Sequence, residues 1–340
     1  MKAVIMAGGE GKRLKAVSGD TPKPMVKLLG RPMLEHIILL LKEQGFDDIC
    51  MSLRYRAEEI QNYFGNGESF GVKIEYRTEN EPLGTAGGVK NCASFYGEEP
   101  FLVISGDAAC DFQLRELMRR HREENCAVTM ALHRNPAPLS YGLAVTDAHE
   151  QVRFFIEKPD WPRVVSDLVN TGIYVISPRV MELVPDGQNC DFAKELFPEL
   201  IKKGERLLGL AMEGYWCDVG SPLSYYRCCV DALEGRLRLH PGENFAVSAE
   251  KYGETHSRQA DGLECACKSR AALMGALSQA LLDMGADYSD GIHLEGRGYI
   301  LHIAPVAERS ALRIAVDSPD AEFAARLAFS AKELAEAFGL

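Results

Sequence analysis

The stretch that constrains this chain most is Gly8-Gly9-Glu10-Gly11-Lys12-Arg13-Leu14, which follows directly on the apolar run Ala3-Val4-Ile5-Met6. A short apolar run that stops at glycines reads as a buried strand feeding a loop. Glycines without Cβ let the backbone come close to an anion and leave N–H groups free to point at it, while Lys12 and Arg13 add fixed positive charge. Lys23 stands between Pro22 and Pro24, whose rings restrict the backbone and present the lysine on a stiff segment. Taken alone, the glycines are a weak signal and read more readily as a tight strand-to-loop turn with a structural role. The loop lacks the Walker lysine-serine/threonine ending, and its spacing is not the GxGxxG of a dinucleotide fold, so a dehydrogenase fails on loop spacing.

At 340 residues with 46% apolar content, the chain has material for one large core and a smaller one. Two domains follow as the expectation. The net charge of −11, from 38 basic and 49 acidic residues, argues against a nucleic-acid surface, so any anion site must be local. No apolar run approaches the length of a membrane span, and the N-terminus enters a strand without a signal-peptide layout; a cytoplasmic protein without a membrane partner is expected. The ten cysteines are scattered through apolar segments and read as buried free thiols. Cys228-Cys229 and Cys265-Ala266-Cys267 lack the spacing of a zinc site.

Helical spacing of Met33, Ile37, Ile38, Leu40 and Leu41 predicts a core-facing helix from Pro32 to Glu43, stopped by Gly45. Strands at Asp48 to Leu53 and Val72 to Tyr76, with a helix around Ala57 to Phe64, complete a β-α-β-α-β opening. That rhythm predicts an α/β protein with a mostly parallel, mixed sheet flanked by helices, whose function gathers at the carboxyl ends of the strands. Glu81-Pro82-Leu83-Gly84-Thr85-Ala86-Gly87 is a small-residue loop opening a helix. It suits a base or ribose, or simply close packing. The apolar strand Phe101 to Ser105 runs into Gly106-Asp107, where a strand-end carboxylate either caps a loop or holds a metal. Further along, a helix is expected at Asp111 to Glu123 and strands at Ala127 to His133, Tyr141 to Val145, Val152 to Glu157 and Val169 to Ile176. Glu157 and Lys158, adjacent in an extended chain, are expected to point to opposite sides and to find separate partners. A helix at Asp191 to Leu200 and another at Leu223 to Leu233 close the first domain.

The strings AGGEGKRL and TPKPMVKLLGRPMLEH, with EPLGTAG, GD at 106–107, EKP at 157–159 and W-x-D-x-G-x-P at 216–222, resemble the signature of the sugar-phosphate nucleotidyltransferases. The resemblance implies the nucleotide-diphospho-sugar transferase fold over residues 1–233. It implies a nucleotide site of Ala7, Gly8, Gly9, Gly11, Lys12, Arg13, Glu81, Gly84, Thr85 and Gly106, and a sugar-phosphate site of Tyr141, Gly142, Glu157, Lys158 and Asn170. It further implies Mg2+ held by Asp107 and Asp218, with Arg13 and Lys23 completing the catalytic set. The reaction implied joins a nucleoside triphosphate to a sugar 1-phosphate and releases pyrophosphate. GTP and mannose 1-phosphate lead, because the tail looks like that of a phosphomannomutase fusion. Heptose 1-phosphate with GTP, glucose 1-phosphate with UTP, dTTP or CTP, and a non-catalytic sugar-nucleotide sensor are the alternatives. Whether copies of the chain associate is left open.

Residues 234–260 are polar and rich in glycine, proline and charge, and read as a linker. Residues 261–340 read as a small α+β domain: a helix at Arg270 to Met284, strands at Gly291 to Leu294, Tyr299 to Ile303 and Leu312 to Val316, and a helix from Ala321 to Phe338. This layout resembles the last domain of phosphohexomutases. No phosphoserine loop, aspartate-rich loop or sugar-discriminating loop accompanies it, so a non-catalytic role is expected.

Overall fold

A computed structural model describes residues 1–11, 14, 21–136, 138–233, 235–239, 263–266, 292–296, 299–305 and 311–337. In chain order the strands are β1 (Lys2–Met6), β2 (Lys27–Leu28), β3 (Arg31–Pro32), β4 (Asp48–Leu53), β5 (Lys73–Thr78), β6 (Phe101–Ser105), β7 (Ala108–Cys110), β8 (Val128–Arg134) and β9 (Gly142–Thr146). They continue with β10 (Val152–Glu157), β11 (Leu168–Ile176), β12 (Leu207–Ala211), β13 (Trp216–Asp218), β14 (Leu263–Ala266), β15 (Ile292–Gly296), β16 (Tyr299–Pro305) and β17 (Ala311–Asp317). The helices are α1 (Met33–Glu43), α2 (Ala57–Phe64), α3 (Gly84–Lys90), α4 (Ala93–Tyr96), α5 (Leu114–Glu123), α6 (Phe197–Lys202), α7 (Pro222–Leu233) and α8 (Ala321–Ala337). Two compact units contain them: Met1–Glu10 with Ile37–Trp216, and Gly11–His36 with Cys217–Leu340.

The first unit is built on a nine-stranded sheet of order β10-β9-β11-β6-β1-β4-β5, with β8 beside β11 and β12 beside β8. β1 runs parallel to β4 and β6, and β5 parallel to β4. This is the expected β-α-β-α-β opening. Strands covered on both faces have no reason to alternate polar and apolar residues, and Ala3, Val4 and Ile5 are fully buried. β11 then enters antiparallel to β6 and β8, which makes the sheet mixed, as expected. α1 buries Ile37, Ile38 and Leu41 and stops at Gly45, whose φ of +77° only glycine adopts easily. The β9–β10 hairpin forms in the predicted place.

Three local readings are corrected. The helix expected from Asp111 starts at Leu114, because the Asp111 carboxylate instead accepts the Tyr215 N–H at 2.8 Å. The helix expected over Asp191 to Leu200 opens as a π-turn, Phe192–Leu196, before α6. Pro198 explains the wider turn: it has no N–H to give and its ring crowds the preceding carbonyl. β12 was not read from the sequence at all, yet it lies parallel to β8 from Leu207↔Val128 to Ala211↔Leu132.

In the second unit, β14-β17-β16-β15 form an antiparallel sheet, and α8 packs on β14, β17 and α7. The three strands predicted near the C-terminus are β15, β16 and β17; β14 is an additional one. The expected helix at 270–284 and most of the expected linker lie outside the described residues. The same unit holds the Lys23–Met25 turn and the β2–β3 ribbon. Eight cysteines among the described residues are free thiols, seven of them buried, as the scattered pattern implies.

Candidate active site

In the first unit, a cavity of about 350 Å³ opens at the carboxyl ends of β1, β4 and β6. β1 contributes Met6, Gly8 and Gly9, β4 contributes Ser52 and Arg54, and β6 contributes Ser105 and Asp107. Parallel strands all point their carboxyl ends one way, so the loops that leave them line one rim. Ala7 is tied down by its N–H to Ser52 O at 2.9 Å, and Gly106 by its N–H to Met6 O at 2.9 Å. A Cβ on Gly106 would stand 3.0 Å from the Ala7 Cβ, so the two loops touch because neither carries bulk.

The other wall is the segment from Glu79 through α3, together with Asn189 and Asp191. Gly84 has φ +71°, and a Cβ there would lie 2.5 Å from Cys190 O. Thr85 donates to Asp191 Oδ2 at 3.1 Å and accepts the Phe192 N–H at 2.9 Å. The small residues of this loop therefore serve packing and also line the cavity. Glu81, singled out from the sequence, is exposed and is not part of the lining; Glu79, which was not singled out, is. Nothing in the local sequence separates two glutamates two positions apart, since which one turns inward depends on where β5 ends.

Asp107 is half-buried, and its Oδ1 accepts the Ser105 hydroxyl at 2.5 Å. Asp107, Glu79 and Asp191 give the cavity hard oxygen donors. Among the described residues no cluster of three or more His, Cys, Asp or Glu side chains could hold a metal alone. Asp107 is the carboxylate of this set that suits a magnesium-like ion, which takes one or two carboxylates from protein and completes its octahedron with other oxygens.

A second cluster of the same unit gathers on β9, β10 and β11. Glu157 pairs in register with Gly142, and a Cβ on Gly142 would lie 2.8 Å from Glu157 Oε2. The expectation that Glu157 and Lys158 point apart is corrected: Lys158 has φ +44°, which breaks the extended alternation, and its Nζ lies 4.0 Å from Glu157 Oε1. Lys158 N–H donates to Tyr141 O at 3.1 Å, and the Tyr141 ring meets Trp216 edge-on at 5.3 Å. Asn170 sits at a bulge in β11. Its Oδ1 accepts both the Gly172 N–H at 3.2 Å and the Tyr174 hydroxyl at 2.9 Å, which fixes the amide with its oxygen toward those two donors. Burial raises the pKa of the Tyr174 phenol, with the charges of Asp191 and Glu157 adding to it against the Asn170 hydrogen bond, so the hydroxyl keeps its proton.

In the second unit, Lys23 is buried and its Nζ lies 3.2 Å from Asp218 Oδ1. Gly11 has φ +63°, and a Cβ there would meet Lys23 Cβ at 2.5 Å. The end of the glycine loop is thus closed over the lysine that the two prolines hold. Lys12 and Arg13 lie outside the described residues.

Residues 2–235 match the Nucleotidyl transferase family. A UTP–glucose-1-phosphate uridylyltransferase of Synechocystis sp. is 35% identical over 251 residues, which are 70% of this chain and 65% of that protein. A mannose-1-phosphate guanylyltransferase of Mycobacterium tuberculosis is 33% identical over 247 residues, 71% of this chain and 68% of that protein. The crystal structure of HddC from Yersinia pseudotuberculosis complexed with GMP-PN aligns with a TM-score of 0.59 at 30% identity, covering 67% of this chain and 97% of that one. Among the described residues no helix is long and apolar enough to cross a membrane.

Proposed function

The chain belongs to the nucleotidyl transferase family, and from that premise we propose that it joins GTP to mannose 1-phosphate, giving GDP-mannose and pyrophosphate. The observation that carries the reading is the cavity itself. It sits at the carboxyl ends of the parallel strands, floored by Gly8 and Gly9 and edged by Asp107, inside the segment that matches the family. An oxygen of the sugar phosphate attacks the α-phosphorus of the triphosphate, and the bond to the bridging oxygen breaks as pyrophosphate leaves. The nucleophile belongs to the substrate, so no serine, cysteine or histidine nucleophile is required of the protein.

What the chain must do is bring two anions together. The Gly8 and Gly9 backbone receives the triphosphate. We assign Lys23 to the α-phosphate and Arg13 to the departing pyrophosphate, as the sequence signature implies. Lys158 takes the sugar phosphate, and Glu157 and the Asn170 amide take sugar hydroxyls. Asp107 and Asp218 would hold Mg2+, which when bound neutralises charge on the phosphates. The Lys23–Asp218 ion pair orients the lysine and the carboxylate before either meets substrate. We assign the reaction to the cytoplasm, and read residues 261–340 as a domain without mutase chemistry.

A pyrophosphate-release screen of GTP, UTP, dTTP and CTP against mannose, glucose and heptose 1-phosphates tests this directly. Turnover is expected to be highest with GTP and mannose 1-phosphate. The Synechocystis relative favours a second reading, UTP with glucose 1-phosphate, and the same screen decides between them. No pyrophosphate from any pair would leave the sugar-nucleotide sensor standing.

A further inference from the structure

We propose that Arg54 is a phosphate-binding residue of the cavity, paired with Glu10 until the phosphates of a nucleoside triphosphate replace that carboxylate; the inference rests on the nucleotidyl-transfer reading and adds a residue to it. Arg54 follows directly on β4 and lines the cavity. Among the described residues of that lining it is the cation, set against the carboxylates of Glu79, Asp107 and Asp191. A cavity with that balance gains most from each positive group that reaches the phosphates.

The backbone around Arg54 is fixed. Ser52 O accepts the Ala7 N–H at 2.9 Å, and Leu53 O accepts the Glu79 N–H at 2.8 Å. A Cβ on Gly8 would stand 3.5 Å from both the Arg54 Cβ and the Arg54 backbone nitrogen, so the glycine loop lies against this residue. The side chain is what remains to move. Its Nη2 lies 3.7 Å from Glu10 Oε1, a separation at which the charges attract but no hydrogen bond forms. The two side chains are 31% and 36% exposed, and a solvated pair of that kind holds weakly. The guanidinium is a planar fork of N–H donors that matches two oxygens of a phosphate. Glu10 belongs to the same loop as Gly8 and Gly9, so the exchange asks for a turn of the Arg54 side chain toward an anion already seated on that loop. The sequence does not separate Arg54 from Arg56, two positions on; the structure does, because Arg56 pairs with Glu59 in the first turn of α2.

The test is equilibrium binding of GTP and UTP to the full chain by calorimetry over a salt series. It compares wild type, Arg54→Gln, Arg54→Lys and a double variant carrying Arg54→Gln and Glu10→Gln, with thermal unfolding as the check on folding. Arg54→Gln is expected to weaken each triphosphate that wild type binds by about tenfold, and to flatten the salt dependence of the binding that is left. Lysine should restore the salt dependence but only part of the affinity, because it returns the charge without the fork. The loss should persist in the double variant, where no Glu10 charge is left to neutralise. Recovery of wild-type affinity there would mean that Arg54 only cancels Glu10, and overturns the proposal. So does an Arg54→Gln protein with unchanged affinity, or one whose loss leaves the salt dependence as in wild type. Since the readout is binding, a chain that holds triphosphates through Arg54 but releases no pyrophosphate fails the transfer reading and keeps this one. An Arg54→Gln protein that releases pyrophosphate with the wild-type KM for the triphosphate does the reverse.

Discussion

In the parallel half of the sheet, β5-β4-β1-β6, strands end in Gly8-Gly9, Ser52 and Ser105-Gly106-Asp107, and the ligand surface is mostly backbone and short side chains. In the mixed half, β11 and β10 present Asn170 and Glu157 from within the strands, and the Asn170 oxygen is held by the Gly172 N–H and the Tyr174 hydroxyl. The difference follows from chain direction. Parallel strands deliver all their exits to one edge, where loops can cradle an anion; antiparallel neighbours leave no common edge, so the ligand must be met by side chains standing on the strands. Damage to the first half should therefore strike transfer, and damage to the second should strike sugar affinity or the stability of the packing behind it.

The largest effect is expected from Asp107→Asn. Turnover should fall by about a thousandfold with the melting temperature near wild type, because charge stabilisation is lost where it matters most. Near-normal pyrophosphate release by that variant would break the comparison on the parallel side.

Behind the mixed half lies His121, 1% exposed, with Nδ1 and Nε2 each 3.0 Å from the hydroxyls of Thr129 and Ser177. Burial, with the charges of Arg122 and Arg179, pulls its pKa down from 6.5 to about 4. The folded value lies below the unfolded one, so the unfolded chain takes the proton first. Stability from this site is complete above about pH 6.5 and declines toward about pH 4, a loss of about 3 kcal/mol at most. Denaturant melts should show that decline in wild type and a flatter profile in His121→Gln; equal slopes would remove His121 from the account.

The smallest effect should come from Tyr174→Phe, which deletes one of the two donors holding the Asn170 oxygen. The amide can then flip, and KM for the sugar 1-phosphate should rise about fivefold while KM for the triphosphate holds, in keeping with about 1 kcal/mol for one hydrogen bond. A rise shared by both substrates would mean that Tyr174 serves the core and not the site.

Much of this was legible beforehand. The bounds of β4 and β6 coincide with those read from apolar runs, since a strand buried on both faces writes itself as largely hydrophobic sequence. Gly8, Gly9, Gly84, Thr85 and Asp107 were named from the sequence and line the cavity. β12 was missed because Leu207–Ala211 is too short and too glycine-broken to stand out until β8 offers it an edge.

By itself the sequence determined the β-α-β-α-β opening, the glycine positions and the carboxylate at the end of β6, because each is a matter of local pattern and steric freedom. Only the tertiary structure decided that Glu79 and not Glu81 faces the cavity, that Tyr174 clamps the Asn170 oxygen, and that Lys23 meets Asp218 across 195 positions of chain. Those choices depend on which backbone and side-chain groups the packed sheets bring within hydrogen-bonding reach, and no window of neighbouring residues contains that information.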